Sequence, residues 1–175
     1  MTNPASVAIL ISVATLGAVL LIMIGEAVLS AHNERILRAR GAIEPPDDVI
    51  DIMRWAYPGS FVTMAIEGGW QGPSPPEVLA AGLVVLGFAK ALKVWAISTL
   101  GTRWTYRVLV LSGAPLVARG PYAMFRHPNY LAVVGEIVGM ALLVWAPVTG
   151  VLSFLGFGWL LTRRIAVEDR ALGRQ

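Results

Sequence analysis

Long apolar runs, broken by short polar stretches, divide this chain. The first run covers about residues 5–29, enough to cross a hydrocarbon core of roughly 30 Å as a helix. It ends in SAHNERILRARG, a polar stretch with Arg35, Arg38 and Arg40. IEPPDD follows, a proline-broken turn whose acids suit a helix start. A weaker second span covers about 49–66, and EGGWQGPSPPE reads as a loop. A third span covers about 77–100. Residues 101–127 have glycine and proline punctuation and no sustained helical period, so they read as a long structured connector. A fourth span begins at Pro128 and ends near residue 145. APVTG is a tight turn, and a fifth span over about 148–161 continues as a polar helix through TRRIAVEDRAL.

Composition supports this reading. Of 175 residues, 56% are hydrophobic and 14% charged, against about 25% charged in soluble domains. The net charge of +3 would fit nucleic acid, but the basic residues flank apolar runs and so mark topology instead. Arg35, Arg38, Arg40 and Arg54 lie between spans one and two. Arg103, Arg107, Arg119 and Arg126 lie between spans three and four, and Arg163, Arg164, Arg170 and Arg174 follow span five. The loops at 68–76 and 146–150 carry no Lys or Arg. The positive-inside rule then gives an all-α integral membrane protein with about five transmembrane helices, N-terminus outside and C-terminus cytoplasmic. The first run is too long for the apolar part of a signal peptide and reads as a permanent span. The chain reads as one domain over 1–175. It has no cysteine, which excludes disulfides and thiolate chemistry, and two histidines are too few for a His-rich metal site.

The unusual chemistry gathers on the cytoplasmic side. In GPYAMFRHPNY, Pro128 suits the first turn of a helix and His127 falls near its N-cap. The free N–H groups of such a helix mouth attract anions, and Arg126 adds charge. The plainer alternative is a proline-started helix with an arginine at the lipid headgroups and a histidine that caps. Tyr122 and Tyr130 offer faces for cations or flat rings, or belong to an interfacial aromatic belt. Arg164 and Glu168 stand four apart, with Arg first, the less favourable order for a helix pair, so each is expected to have another partner. Because spans four and five form a hairpin, Arg126 and Arg164 are expected close together. Glu136, eight residues past Pro128, lies about 12 Å into the membrane. It is either a functional group or a structural partner of Lys90 or Lys93, which otherwise snorkel to the headgroups. Glu26 and Glu67 read as interfacial.

At these residues a resemblance emerges. GAPLVARGPYAMFRHPNYLAVVGE, with RRIAVEDRAL downstream, resembles the isoprenylcysteine carboxyl methyltransferase family of integral membrane enzymes. NERILRARGAIE and VWAISTLGTRWTYRVLVLSGAPL resemble its bacterial branch. The resemblance implies S-adenosyl-L-methionine as methyl donor, bound at the cytoplasmic face by about residues 101–175. It implies cofactor contacts at the positions of Leu116, Val117, Tyr122, His127, Pro128, Asn129, Tyr130 and Glu168, with Arg126 beside them, and a substrate-facing role for Arg164. Ala114 and Pro115 replace a more polar pair of the eukaryotic pattern, leaving contact there to backbone and apolar packing. Some bacterial members resemble enzymes that O-methylate long-chain alkylpyrones or alkylresorcinols. The expected activity is therefore methyl transfer to an oxygen of a lipid-like acceptor, with Glu136 as base for a hydroxyl. Methylation of prenylcysteine carboxylate is the first alternative. Membrane sterol reductases, which use NADPH, share RHPNY followed by Gly-Glu and form a second; a non-enzymatic assembly role forms a third. The expected setting is a bacterial inner membrane. The partners are membrane lipids and the acceptor, with no metal, nucleic acid or protein partner expected.

Overall fold

The computed structural model describes residues 3–46 and 48–173. Among the described residues five α-helices follow in order: α1 (Pro4–Ala39), α2 (Ile50–Gln71), α3 (Pro76–Leu100), α4 (Pro128–Leu143) and α5 (Pro147–Ala171). Two short 3-10 turns, Gly101–Arg103 and Gly120–Ala123, punctuate the connector. Among the described residues there is no strand; one antiparallel bridge joins Ile43 to Val110. Arg174 lies outside the described residues.

Four of the five helices begin with proline in the first turn, where its missing N–H goes unused. Asn3 also caps α1 by accepting from the Ala5 N–H at 3.1 Å. α1, α3 with its following turn, and α5 are long and apolar enough to cross a membrane. α4 is apolar but has only 16 residues, and α2 carries Asp51, Arg54 and Glu67. Length and composition thus single out three spans where the sequence pattern gives five.

Two helices outrun their expected limits. The polar stretch after residue 29 remains helical, because Glu26, Ser30, Asn33 and Leu37 form one buried stripe along α1. That stripe docks the connector: Ser30 Oγ accepts the Tyr106 N–H at 2.8 Å, and Asn33 Nδ2 donates to the Trp104 carbonyl at 2.8 Å. α2 likewise runs through Gly68 and Gly69 to Gln71, so the loop expected at 68–76 shrinks to a few residues. A Cβ at Gly68 would lie 2.9 Å from the Val144 Cβ, so a glycine is what lets α2 approach α4 there.

α3 and α4 form the tightest pair. A Cβ at Gly82 would lie 2.6 Å from the Leu143 backbone nitrogen, and one at Gly139 2.7 Å from that of Leu86. α4 and α5 turn back on each other through Trp145, whose backbone is left-handed (φ 57°). Glu67 reaches the start of α5 and accepts the Val148 and Thr149 N–H groups at 3.0 and 2.7 Å. The apolar core, with Phe61, Met64, Ile137, Met140 and Phe157, fills the space between α2, α4 and α5.

Candidate active site

The hairpin of α4 and α5 brings the two conspicuous motifs together. Gly120, at φ 57° with its Cα against the Thr99 side chain, turns the connector along α3 and into the RHPNY segment. His127 occupies the N-cap position of α4, yet its side chain makes no capping hydrogen bond. It turns to α5 instead, with Nδ1 3.7 Å from Glu168 and Nε2 3.2 Å from Asp169. Its ring stacks on Tyr130 with centroids 5.5 Å apart. The Tyr130 hydroxyl donates to Glu168 Oε2 at 2.6 Å and accepts from Arg164 Nε at 3.2 Å. Asn129 Oδ1 accepts the Trp104 indole N–H at 3.2 Å.

Arg164 and Glu168 therefore do have other partners, in line with their unfavourable order on the helix. Arg164 is only 3% exposed. Its guanidinium bonds both carboxylate oxygens of Asp48 and the Tyr106 carbonyl. Asp48 comes from the acidic turn expected to start α2, but the cap of α2 is Val49, without a side-chain bond. Glu44 of the same turn pairs with Arg107 at 2.6 Å and Arg38 at 2.5 Å. These pairs, with the Ile43–Val110 bridge, bind the turn between α1 and α2 to the connector.

A cavity of about 880 Å³ opens beside this network. Leu116, Val117, Tyr122, Arg126, His127, Asn129, Tyr130, Arg164 and Glu168 all line it, with the rest of the connector segment 104–117. Pro128 does not; it is buried and sets the helix start. Burial, and then the charge of Glu168, push the Tyr122 phenol up, so it stays protonated. From Glu168 the cavity runs down α5 past Leu161 to Phe157, about 16 Å at 1.5 Å per residue. That far end is mostly apolar, walled by Met23 and Ala27 of α1, Met53, Tyr57 and Pro58 of α2, and Val133 of α4, with Lys93 of α3 reaching it beside Tyr57. One space thus joins a polar mouth to a greasy interior.

Glu136 is not part of that wall. It is fully buried behind Tyr57, whose hydroxyl donates to it, and lies 3.0 Å from Lys90 and 3.3 Å from Lys93. This is the structural pairing weighed as the alternative to a direct role. The lysines do not snorkel, since Lys93 is 2% exposed and lies 2.7 Å from Glu26. Glu26 is likewise buried rather than interfacial. Asp48, Trp104, Tyr106 and Tyr57 escaped sequence reading. The one signal was the unfavourable order of Arg164 and Glu168, which implied another partner for each without saying which.

The sequence profile of the isoprenylcysteine carboxyl methyltransferase (ICMT) family matches residues 80–174. The chain belongs to this family. The ICMT match takes in α4, α5, the connector and most of α3, and so most of the polar mouth. Two relatives extend the likeness towards the N-terminus. The uncharacterised YpbQ of Bacillus subtilis is 31% identical over 147 residues, covering 84% of this chain and 88% of its own. An uncharacterised protein of Haemophilus influenzae is 26% identical over 159 residues, covering 90% of this chain and 92% of its own. No solved structure matches significantly. ICMT family membership, with three long apolar helices, gives a membrane protein of the methyltransferase class. Members of the ICMT family use S-adenosylmethionine.

Proposed function

We propose that this protein is an integral membrane methyltransferase that uses S-adenosyl-L-methionine to methylate an oxygen of a lipid-like acceptor. One observation carries the reading: a single cavity has the charged, aromatic mouth of α4 and α5 at one end and apolar helix faces at the other. A water-soluble donor and a membrane-bound acceptor need such a two-sided space.

The residues of the mouth fit the donor. The first-turn N–H groups of α4, left without a side-chain cap, suit its carboxylate, and Arg126 adds a positive charge nearby. The Glu168 carboxylate, held by Tyr130, suits its amino or hydroxyl groups. The faces of Tyr122, Tyr130 and Trp104 suit a sulfonium. Leu116 and Val117 offer apolar contact to its flat ring. When bound, the donor supplies an electrophilic methyl group. Arg164, spanning Asp48, Tyr106 and Tyr130, fixes the relative positions of the connector, α4 and α5. The connector strap over 104–117 keeps water from the joint between donor and acceptor, and alignment in a dry site supplies the rate.

In the topology this reading requires, all five helices cross the membrane. The N-terminus is outside and the mouth opens on the cytoplasm of a bacterial inner membrane. The charge sorting supports it, as does the clustering of the arginine-bearing segments at the helix ends around the mouth. The whole chain then acts as one domain, with 101–175 as its donor-binding part.

The experiment is calorimetric titration of S-adenosylmethionine into detergent-solubilised protein, wild type against Glu168→Ala. Binding by the wild type and at least a tenfold loss in the variant are expected. A folded wild type that does not bind overturns the reading.

A further inference from the structure

Behind the apolar end of the cavity lies a group of charges that the donor mouth does not use. Lys93 of α3 stands 2.7 Å from Glu26 of α1 and 3.3 Å from Glu136 of α4. Lys90 stands 3.0 Å from Glu136 and 3.9 Å from Glu26. Two acids balance two ammonium groups, so the quartet carries no net charge. Tyr57, Tyr106 and Lys93 itself face the cavity. The Tyr57 hydroxyl donates to Glu136 Oε2, and the Tyr106 hydroxyl donates to Glu26 Oε2 at 3.3 Å. Glu26 and Glu136 do not line it. α5 adds Phe157 to this wall, its ring 5.0 Å from that of Tyr57.

Stability gives little reason for such a group. Buried ion clusters are often replaced by apolar side chains at no loss. The arrangement does give a proton somewhere to go. Methylation of a neutral hydroxyl forms an O–CH3 bond and breaks the donor's S–CH3 bond, whose electron pair stays on sulfur. The hydroxyl proton must then leave. A site walled from water cannot hand it to solvent, and the donor's positive charge has just vanished from the same low-dielectric space.

We propose that Tyr57 is a catalytic residue: it takes the acceptor's hydroxyl proton while passing its own to Glu136. The positive charge lost at sulfur reappears in the quartet, so the buried site ends the reaction with the charge it began with. This rests on the methyltransferase reading and narrows its acceptor to a lipid phenol or enol. A carboxylate arrives already deprotonated and has no use for the path. The groups facing Glu136 are Tyr57 from α2 and Lys90 and Lys93 from α3; Glu26 from α1 and Tyr106 from the connector act on it through Lys93.

The test separates this step from the donor. A long-chain 4-alkyl-2-nitrophenol, whose absorbance reports ionisation, is bound to the protein in detergent without donor, and its midpoint is read by pH titration. In wild type the bound probe is expected to ionise at least one pH unit lower than in Tyr57→Phe, which keeps all four charges. The charge-balanced double variant Glu136→Gln with Lys90→Gln is expected to behave like Tyr57→Phe. An unchanged midpoint in both overturns the proposal. With labelled donor and an alkylphenol, Tyr57→Phe is expected to lose about 100-fold or more in kcat with KM little changed. Wild-type rates from Tyr57→Phe, or wild-type transfer to a lipid carboxylate and not to the phenol, would also overturn it. If the wild type methylates no lipid at all, the methyltransferase reading itself fails. The probe titration still decides whether Tyr57 draws a proton from a bound phenol.

Discussion

His127 lies between two acids of α5, and its pairing with the Glu168 carboxylate, reinforced by the charge of Asp169, raises its pKa above the ordinary 6.5. A histidine whose folded pKa is raised adds stability that is complete below its unfolded pKa and fades as pH rises through the folded one. The gap in melting temperature between wild type and His127→Gln is therefore expected to be widest near pH 6 and to shrink towards pH 9. Thermal melts in detergent across that range measure it, and a gap that widens with pH contradicts the assignment. The same residue shows what sequence can carry. RHPNY was legible because a proline at a helix start fixes its own neighbours, so His127 was placed correctly at the mouth of α4. Its orientation was not legible. Capping and pairing with α5 are equally open to a histidine there, and the choice depends on a helix that begins twenty residues later in the chain. Asp48 was hidden for a similar reason, since an acid in a proline turn before a helix reads locally as a cap.

The pairing of α3 with α4 rests on two reciprocal contacts, Gly82 under Leu143 and Gly139 under Leu86. Each brings backbone against backbone, so an added methyl has no flexible tip to push aside. Gly139→Ala is expected to cost about 1–3 kcal/mol through this overpacking. Gly87, with open space around its Cα, is the control. Gly87→Ala there is expected to be neutral or to gain about 0.5–1 kcal/mol from helix propensity. Unfolding midpoints of the two variants in one detergent decide the matter, and equal effects would mean that the helices are not in backbone contact. Helix starts were largely readable at this scale, because Pro76, Pro128 and Pro147 announce them. Helix ends were less so. α1 continues ten residues beyond its apolar run because its polar stripe meets the connector, and a polar helix that docks a loop has no hydropathy signal.

For the molecule as a whole, the arginines sort every second interhelical segment to one side, and the proposed orientation follows from that sorting. The chain has no cysteine, so single cysteines report position without background. Gln71→Cys is expected to react with a membrane-impermeant maleimide in intact cells. Arg119→Cys is expected to react only after the membrane is opened. The reverse pattern would invert the topology and place the mouth outside. Five helices were legible in the sequence, but the cavity was not. It forms only where α1, α2, α4 and α5 diverge around the connector, and no single segment encodes that divergence.

The matched family segment begins at residue 80, yet the mouth it contains is completed from before that point. Asn33 of α1 holds the Trp104 carbonyl, Asp48 neutralises Arg164, and Tyr57 walls the interior. A gene fragment cut where the profile starts would therefore encode a recognisable signature and half a machine. Its buried guanidinium would have lost its counter-charge, and its connector would have no helix to lie on. Grafting the C-terminal half of one such protein onto another asks for more than matching signatures. The two N-terminal helices of the recipient and the turn between them must already carry an amide, an acid and a tyrosine at the heights where the incoming half expects them.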